Sequence, residues 1–219
     1  DPGYFSIPGN KHKFRDWKKS GHGTVNLTKS ITQSVDTYYY KNTYELGIDR
    51  MHDWMTRYNI GKKTGIDLPG EKTGVYPSTA WKMKTYKKPW LPGDTVSASI
   101  GQGYFLATPL QVANATAMLA NAGNHLTPHL LSKTTGAVKY SPANKPDGKI
   151  PFRGTKQDWL KMQTAMELTV KSGTAKGVYT DRYRLAGKTG TAQVKSIAQG
   201  KRYNEAALSE RHRDHGWFI

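Results

Sequence analysis

No cysteine occurs anywhere in the 219 residues. Disulfides, thiolate nucleophiles and cysteine-based zinc fingers are excluded at once. The redox compartment stays open, because an oxidising space permits disulfides without demanding them. No apolar run of roughly eighteen residues is present, so no membrane span lies within this sequence. The nearest approach, Ala113 to Ala122, is broken by Asn114, Thr116 and Asn121. No basic segment leading into an apolar one opens the chain, so no signal peptide is read there. There is no internal repeat and no low-complexity linker. Acidic residues are scarce: 16 Asp and Glu face 33 Lys and Arg, for a formal net charge of +17. Such a chain is drawn to polyanions. Its cations (Lys11, Lys13, Lys18, Lys19, Lys82, Lys84, Lys87 and Lys88 among them) are scattered and match no zinc-finger, basic-zipper or RNP pattern. The expectation is a solvated basic surface and no nucleic-acid partner.

What is present reads as globular. Hydrophobic residues make up 36% and glycine adds 22 residues, enough apolar content for a packed domain. Asp1 to Lys19 is rich in Gly, Pro and Lys and reads as irregular surface. A helix is predicted from about Asp36, carrying Tyr38, Tyr39, Tyr40 and Tyr44 and closed by Gly47. Helical spacing makes core packing the first reading of those tyrosines. A second helix follows from Asp49 as N-cap through Met51, Trp54, Met55 and Tyr58, and the stretch to Tyr76 is turn-rich around Pro69-Gly70. Thr108 as N-cap with Pro109 at the first helical position opens a third, apolar almost all round to Asn121, which predicts a buried helix. A fourth spans Lys156 to Lys171. Strand-like runs lie at Leu185–Val194 and Gly216–Ile219. Helices packed on an antiparallel sheet, an α+β arrangement, is the fold class this pattern supports.

The tripeptide Lys-Thr-Gly occurs three times, at Lys63, Lys72 and Lys188. The first two lie in the turn-rich segment; only Lys188 stands in a strand-like context. Lys188-Thr189-Gly190-Thr191, together with Ser34-Val35-Asp36, matches the later two of the three motifs of serine acyl-transfer enzymes that recognise penicillin. A Lys at a strand edge fixes positive charge, Gly beside it leaves room for a substrate along the strand, and Thr hydroxyls hydrogen-bond a carboxylate. A Ser at the mouth of a helix can relay a proton to a leaving group.

Four blocks in order carry a wider resemblance. They are Ser34 to Tyr40; Gly65 to Glu71; Gly101-Gln102-Gly103 with Thr108 to Gln111; and Leu185 to Val194. Together they resemble the transpeptidase domain of class B penicillin-binding proteins, across residues 1–219. The closing Glu210 to His215 is similar to the branch that serves cell elongation in Gram-negative bacteria. The resemblance implies the penicillin-binding, β-lactamase-like α+β fold, truncated at both ends, with 1–219 a partial domain. It implies a periplasmic, membrane-anchored enzyme that crosslinks peptidoglycan stem peptides, binds β-lactams and partners an elongation glycosyltransferase. Carried over by position, Ser34 would relay protons, Asp36 would stand at the Asn/Asp place of the second motif, and Lys188 would supply charge near Ser34. Thr189 and Thr191, with Gly190 between them, would grip the terminal carboxylate. The Thr191 N–H would form half of an oxyanion hole. No Ser lies three residues before any Lys, so the S-x-x-K nucleophile is missing and the chain alone is expected to be inactive.

No cofactor is required for such chemistry. Asp1, Asp16 and His22 lie at long, irregular spacings, which by themselves read as solvated loop residues. Some members of the resembled branch hold zinc in this segment with two Asp, one His and a Cys beside the second-motif Ser. The first three positions match, whereas the Cys position is Val35. Two other functions fit parts of the sequence: a serine β-lactamase or β-lactam sensor on the same fold, and a non-catalytic basic module binding an anionic polymer.

Overall fold

The computed structural model describes residues 1–137, 146–150, 154–194, 204, 206 and 208–219. Seven α-helices and three two-stranded antiparallel ribbons are seen among them. The opening segment is less irregular than its composition suggests: β1 (Tyr4–Phe5) pairs with β2 (Phe14–Arg15). Phe5 and Phe14 of that ribbon pack on Tyr40, and Ile7 and Val96 join them in one apolar cluster. Helix α1 (Leu27–Thr32) starts at Asn26, whose side chain accepts the Lys29 N–H. Helix α2 (Asp36–Leu46) ends at Gly47 as expected, but the next helix, α3 (Ile48–Met55), is entered through that same glycine rather than capped by Asp49. The Asp49 carboxylate instead accepts the N–H and hydroxyl of Thr79.

Helices α4 (Thr79–Tyr86) and α5 (Pro92–Ala98) were not visible as periodic patterns. They hold a cation that does not belong to the solvated surface. Lys82 is only 3% exposed, is ion-paired with Asp94 and lies over the rings of Trp90 and Tyr104. A buried ammonium needs such a partner, and the pairing holds it above the ordinary lysine pKa.

Helix α6 (Pro109–Ala120) begins at Thr108 with a reciprocal Thr108–Gln111 capping box. It is not buried all round. Its inward face is Gln111, Asn114 and Met118, whereas Ala113, Ala117 and Ala120 are exposed. Gln111, fully buried, donates to the carbonyls of Lys62 and Thr73, so a polar side chain fastens the turn-rich loop to this helix. Past α6, β3 (Asn124–His125) pairs with β4 (Gly148–Lys149). Helix α7 (Lys156–Lys171) then packs on α1 through Ile31, Ala165 and Met166. The approach is closest at Gly173, where a Cβ would lie 2.1 Å from the Thr32 carbonyl oxygen. Strand β5 (Thr189–Ala192) pairs with β6 (His215–Phe218), Thr189 opposite Phe218 and Ala192 opposite His215.

Candidate active site

Ser34 sits in the short connection between α1 and α2. Its N–H donates to the Ile31 carbonyl and the Val35 N–H donates to Ser30, so both amides finish the α1 turn. Ser34 itself adopts φ +52°, in the left-handed region that non-glycine residues seldom enter. Asp36 opens α2, where the helix N-terminus favours a negative charge.

Lys188 reaches this connection from the far end of the chain. The Gly187 N–H is pinned to the Met166 carbonyl of α7, and Lys188 and Ile219 exchange both backbone hydrogen bonds, at 2.8 and 3.1 Å. A Cβ at Gly187 would stand 2.4 Å from the Phe218 ring, so glycine is what lets β6 close on β5 here. The Lys188 Nζ donates to Ser34 Oγ at 2.8 Å across 154 residues of sequence, and to the Thr189 carbonyl at 2.8 Å. Burial holds the Lys188 ammonium below the ordinary lysine value, with the Asp36 carboxylate opposing that shift. Asp36 is pushed up to about 6, by burial first and then by the charge of Asp16. Lys188 and the Trp17 backbone N–H pull it the other way. Because Ser34 Oγ accepts from Lys188, its own proton is free to be handed on, the geometry a proton relay requires.

Strand β5 completes the arrangement. The exchanged pair at Lys188 and Ile219 sets the alternation, which turns the Thr189 and Thr191 amides away from β6 toward the open edge. The Thr189 hydroxyl meets that of Thr174 at 2.7 Å. Ser34, Asp36, Lys188, Thr189, Gly190 and Thr191 all line one cleft of about 830 Å³. Neither Lys63 nor Lys72 lines it. Of the tyrosines, Tyr39 reaches the cleft and Tyr40 is buried in the core.

Trp17, Ile31, Ser99, Ile100 and Thr174 also line the cleft, and none of the five is marked by the motifs of the sequence. Thr174 follows the helix-ending Gly173, and Trp17 sits in the Lys-rich opening; neither has a pattern that marks it.

Asp1, Asp16 and His22 are not solvated loop residues. Asp16 is 4% and His22 8% exposed, and one ligand atom from each of the three lies within 4.8 Å of the others. The Asp1 carboxylate meets His22 Nδ1 at 2.7 Å, and Asp16 approaches the same nitrogen at 3.5 Å. Close backbone approach brings them together: Gly3 and Gly21 pack so tightly that a Cβ on either would strike the opposite strand of the loop at 2.3 Å. The donors, two carboxylates and an imidazole, fit a zinc-type cation with three protein ligands. The fully buried Val35 supplies no fourth.

The penicillin binding protein transpeptidase domain matches residues 3–219. Peptidoglycan D,D-transpeptidase MrdA of Acinetobacter baumannii is 59% identical over 219 residues, all of this chain and 33% of that protein. Penicillin-binding protein 2 of Pseudomonas aeruginosa, solved with WCK 5153, matches in structure with a TM-score of 0.83 at 39% identity, over all of this chain and 46% of that one. Penicillin-binding protein 2 of Helicobacter pylori, solved with MreC, gives 0.79 at 36% identity over 99% of this chain and 37% of its own. The chain therefore spans about a third of the length of the curated relative. With its α+β architecture, its ordered motifs and a match over nearly every residue, the chain belongs to the penicillin-binding protein transpeptidase family.

Proposed function

We propose that this chain is the part of a peptidoglycan D,D-transpeptidase that carries the second and third catalytic motifs, the nucleophile coming from a segment outside residues 1–219. The observation that carries this reading is the 2.8 Å contact between Lys188 Nζ and Ser34 Oγ. In the first step a serine Oγ attacks the penultimate D-Ala carbonyl of a stem peptide; a C–O bond forms and the C–N bond to the terminal D-Ala breaks. Ser34 passes a proton to that leaving amine, and Lys188 steadies the relay. Thr189, Gly190 and Thr191 bind the terminal carboxylate along β5, and the Thr191 N–H polarises the carbonyl. In the second step an amine from a neighbouring strand attacks the ester, restoring the serine. Asp36 supports the positive charge of Lys188. A β-lactam enters the same sequence and stops as the acyl-enzyme.

The parent works at the periplasmic face of the inner membrane beside an elongation glycosyltransferase. Support for the glycosyltransferase partner comes from a similar protein solved in a peptidoglycan synthase complex that coordinates polymerization and crosslinking. Among the described residues no helix is long and apolar enough to cross a membrane. Asp1, Asp16 and His22 would hold a structural zinc ion, outside the acyl-transfer chemistry. The test is covalent labelling with a fluorescent penicillin. The full-length protein is labelled stoichiometrically and the isolated 219-residue chain is not. Labelling of the isolated chain would overturn the placement of the nucleophile, and an unlabelled full-length protein would overturn the function.

A further inference from the structure

The Ser34 backbone has one polar group that neither helix uses. Its N–H closes α1 and its Oγ accepts from Lys188, while a left-handed residue turns its carbonyl away from the helix it follows. That carbonyl accepts the indole Nε1–H of Trp17 at 3.0 Å, and the Gln33 carbonyl shares the same donor at 3.1 Å. The indole therefore spans the two peptide groups on either side of Ser34. It does so at a cost in exposure: Trp17 is 58% exposed, with its ring at the cleft.

The indole is held from behind. Its ring meets that of His22 edge-on, with centroids 5.4 Å apart. The preceding residue, Asp16, is buried and takes the N–H of Lys18 on one oxygen and the N–H of Thr37 on the other. Asp16 thus ties the Trp17 segment to the first turn of α2. A continuous path runs from the Asp1–Asp16–His22 cluster through the indole to Ser34 and Lys188.

We propose that Trp17 is a positioning residue for Ser34: its indole N–H fixes the left-handed Ser34 peptide so that Oγ faces Lys188. The proposal rests on the reading of Ser34 as the proton relay. Without that hydrogen bond the Ser34 carbonyl loses its partner, the connection is free to relax toward a right-handed conformation, and Oγ swings off Lys188.

The test replaces Trp17 in the full-length protein with 3-benzothienylalanine, which keeps the shape of the ring and puts sulfur in place of N–H; Trp17→Phe is the companion variant. Acylation by a fluorescent penicillin is resolved into a non-covalent binding constant and a first-order acylation rate. The expected result is an acylation rate lowered about three- to tenfold, the scale of one neutral hydrogen bond, with binding changed less than about twofold. The melting temperature stays within about 2 °C. An unchanged acylation rate overturns the proposal, and so does a loss that tracks weakened binding and a lowered melting point, the mark of a structural role alone. A crystal structure of the benzothienyl variant decides independently of any acylation. Ser34 leaving φ near +52° with Oγ off Lys188 supports the proposal, and an unmoved Ser34 overturns it. Should the unaltered protein not be acylated at all, the proposed function falls while the crystal structure still decides the role of Trp17.

Discussion

The chain carries the same tripeptide in two settings, twice in the loop at 63–74 and once at the start of β5, and the settings give it opposite meanings. In the loop both glycines have positive φ, +86° at Gly65 and +58° at Gly74, so they are there to turn the backbone. Thr64 is buried, and its N–H and hydroxyl both donate to Glu71, which also accepts the Gly65 N–H. Thr73 gives its carbonyl to Gln111. The Thr64 amide and hydroxyl, the Gly65 amide and the Thr73 carbonyl are all used internally. In β5 the chain is extended, the Thr amides face an open edge, and the Lys188 side chain reaches across to Ser34. A tripeptide becomes a binding edge when its backbone is a strand with one side unpaired, and becomes a clamp when its glycine is a turn.

The largest expected difference is chemical. Lys188→Ala in the full-length protein should slow penicillin acylation by about 10²–10⁴-fold, the range for losing a group engaged in proton transfer. Lys63→Ala and Lys72→Ala should stay within about twofold, since neither lines the cleft. A comparable loss at Lys63 or Lys72 breaks the comparison.

The glycines sharpen it next. Gly74→Ala puts a Cβ 2.3 Å from the Leu106 carbonyl oxygen at a positive φ, and should cost about 2 kcal/mol or more of stability by urea denaturation. At Gly190 the nearest new contact is Trp217 Cβ at 3.8 Å, so Gly190→Ala should change stability by less than about 1 kcal/mol. Its effect should fall on binding instead, measured as a weakened non-covalent penicillin constant, because the methyl occupies the strand face where substrate lies.

Titration separates the two regions further. In the metal-free protein, burial and the Asp16 charge raise Asp36 to about 6, so the folded state binds that proton more tightly than the unfolded chain does. Its contribution to stability is present below the ordinary carboxylate pKa and is lost as pH rises through about 6. Asp36→Asn should remove that slope, on the order of 2 kcal/mol between pH 4 and 7, in denaturation curves measured across pH. The acylation profile should lose a step near pH 6 in the same variant. Glu71 behaves oppositely. Burial works against its ionisation, but the Thr64 hydroxyl, the amides of Thr64 and Gly65 and the Lys63 charge outweigh that and hold it below the ordinary value. What it adds is present above the unfolded pKa and is lost as pH falls through the folded one. The smallest effect is therefore local: Glu71→Gln should speed amide exchange at Thr64 and Gly65 several-fold at neutral pH, leaving acylation untouched.

The sequence made legible what depends on short-range signals. The Thr108-Pro109 start of α6, the Gly47 end of α2 and the full extent of α7 all follow from caps and periodicity. The pairing of Ser34 with Lys188 was legible through motif order. What escaped depends on tertiary contact. Trp17 has no local signature, because its role is defined by the Ser34 carbonyl, seventeen residues away, which the left-handed Ser34 conformation turns toward the indole. Lys82 reads as a surface cation until Asp94, Trp90 and Tyr104 are folded around it. Asp1, Asp16 and His22 looked solvated at their spacing because nothing in the spacing reports the close passage of Gly3 and Gly21. Helix α6 misled in the other direction: three of its four alanines, Ala113, Ala117 and Ala120, face outward, and its one fully buried polar residue, Gln111, fastens a loop.

The central claim is that Ser34 and Lys188 act as one unit through their shared hydrogen bond. A double-mutant cycle on penicillin acylation in the full-length protein, with Ser34→Ala, Lys188→Met and the pair together, measures this directly. If they act as a unit, the double variant is no slower than the slower single variant, within about twofold. If the two losses multiply instead, Ser34 and Lys188 contribute separately and the site is not the one described.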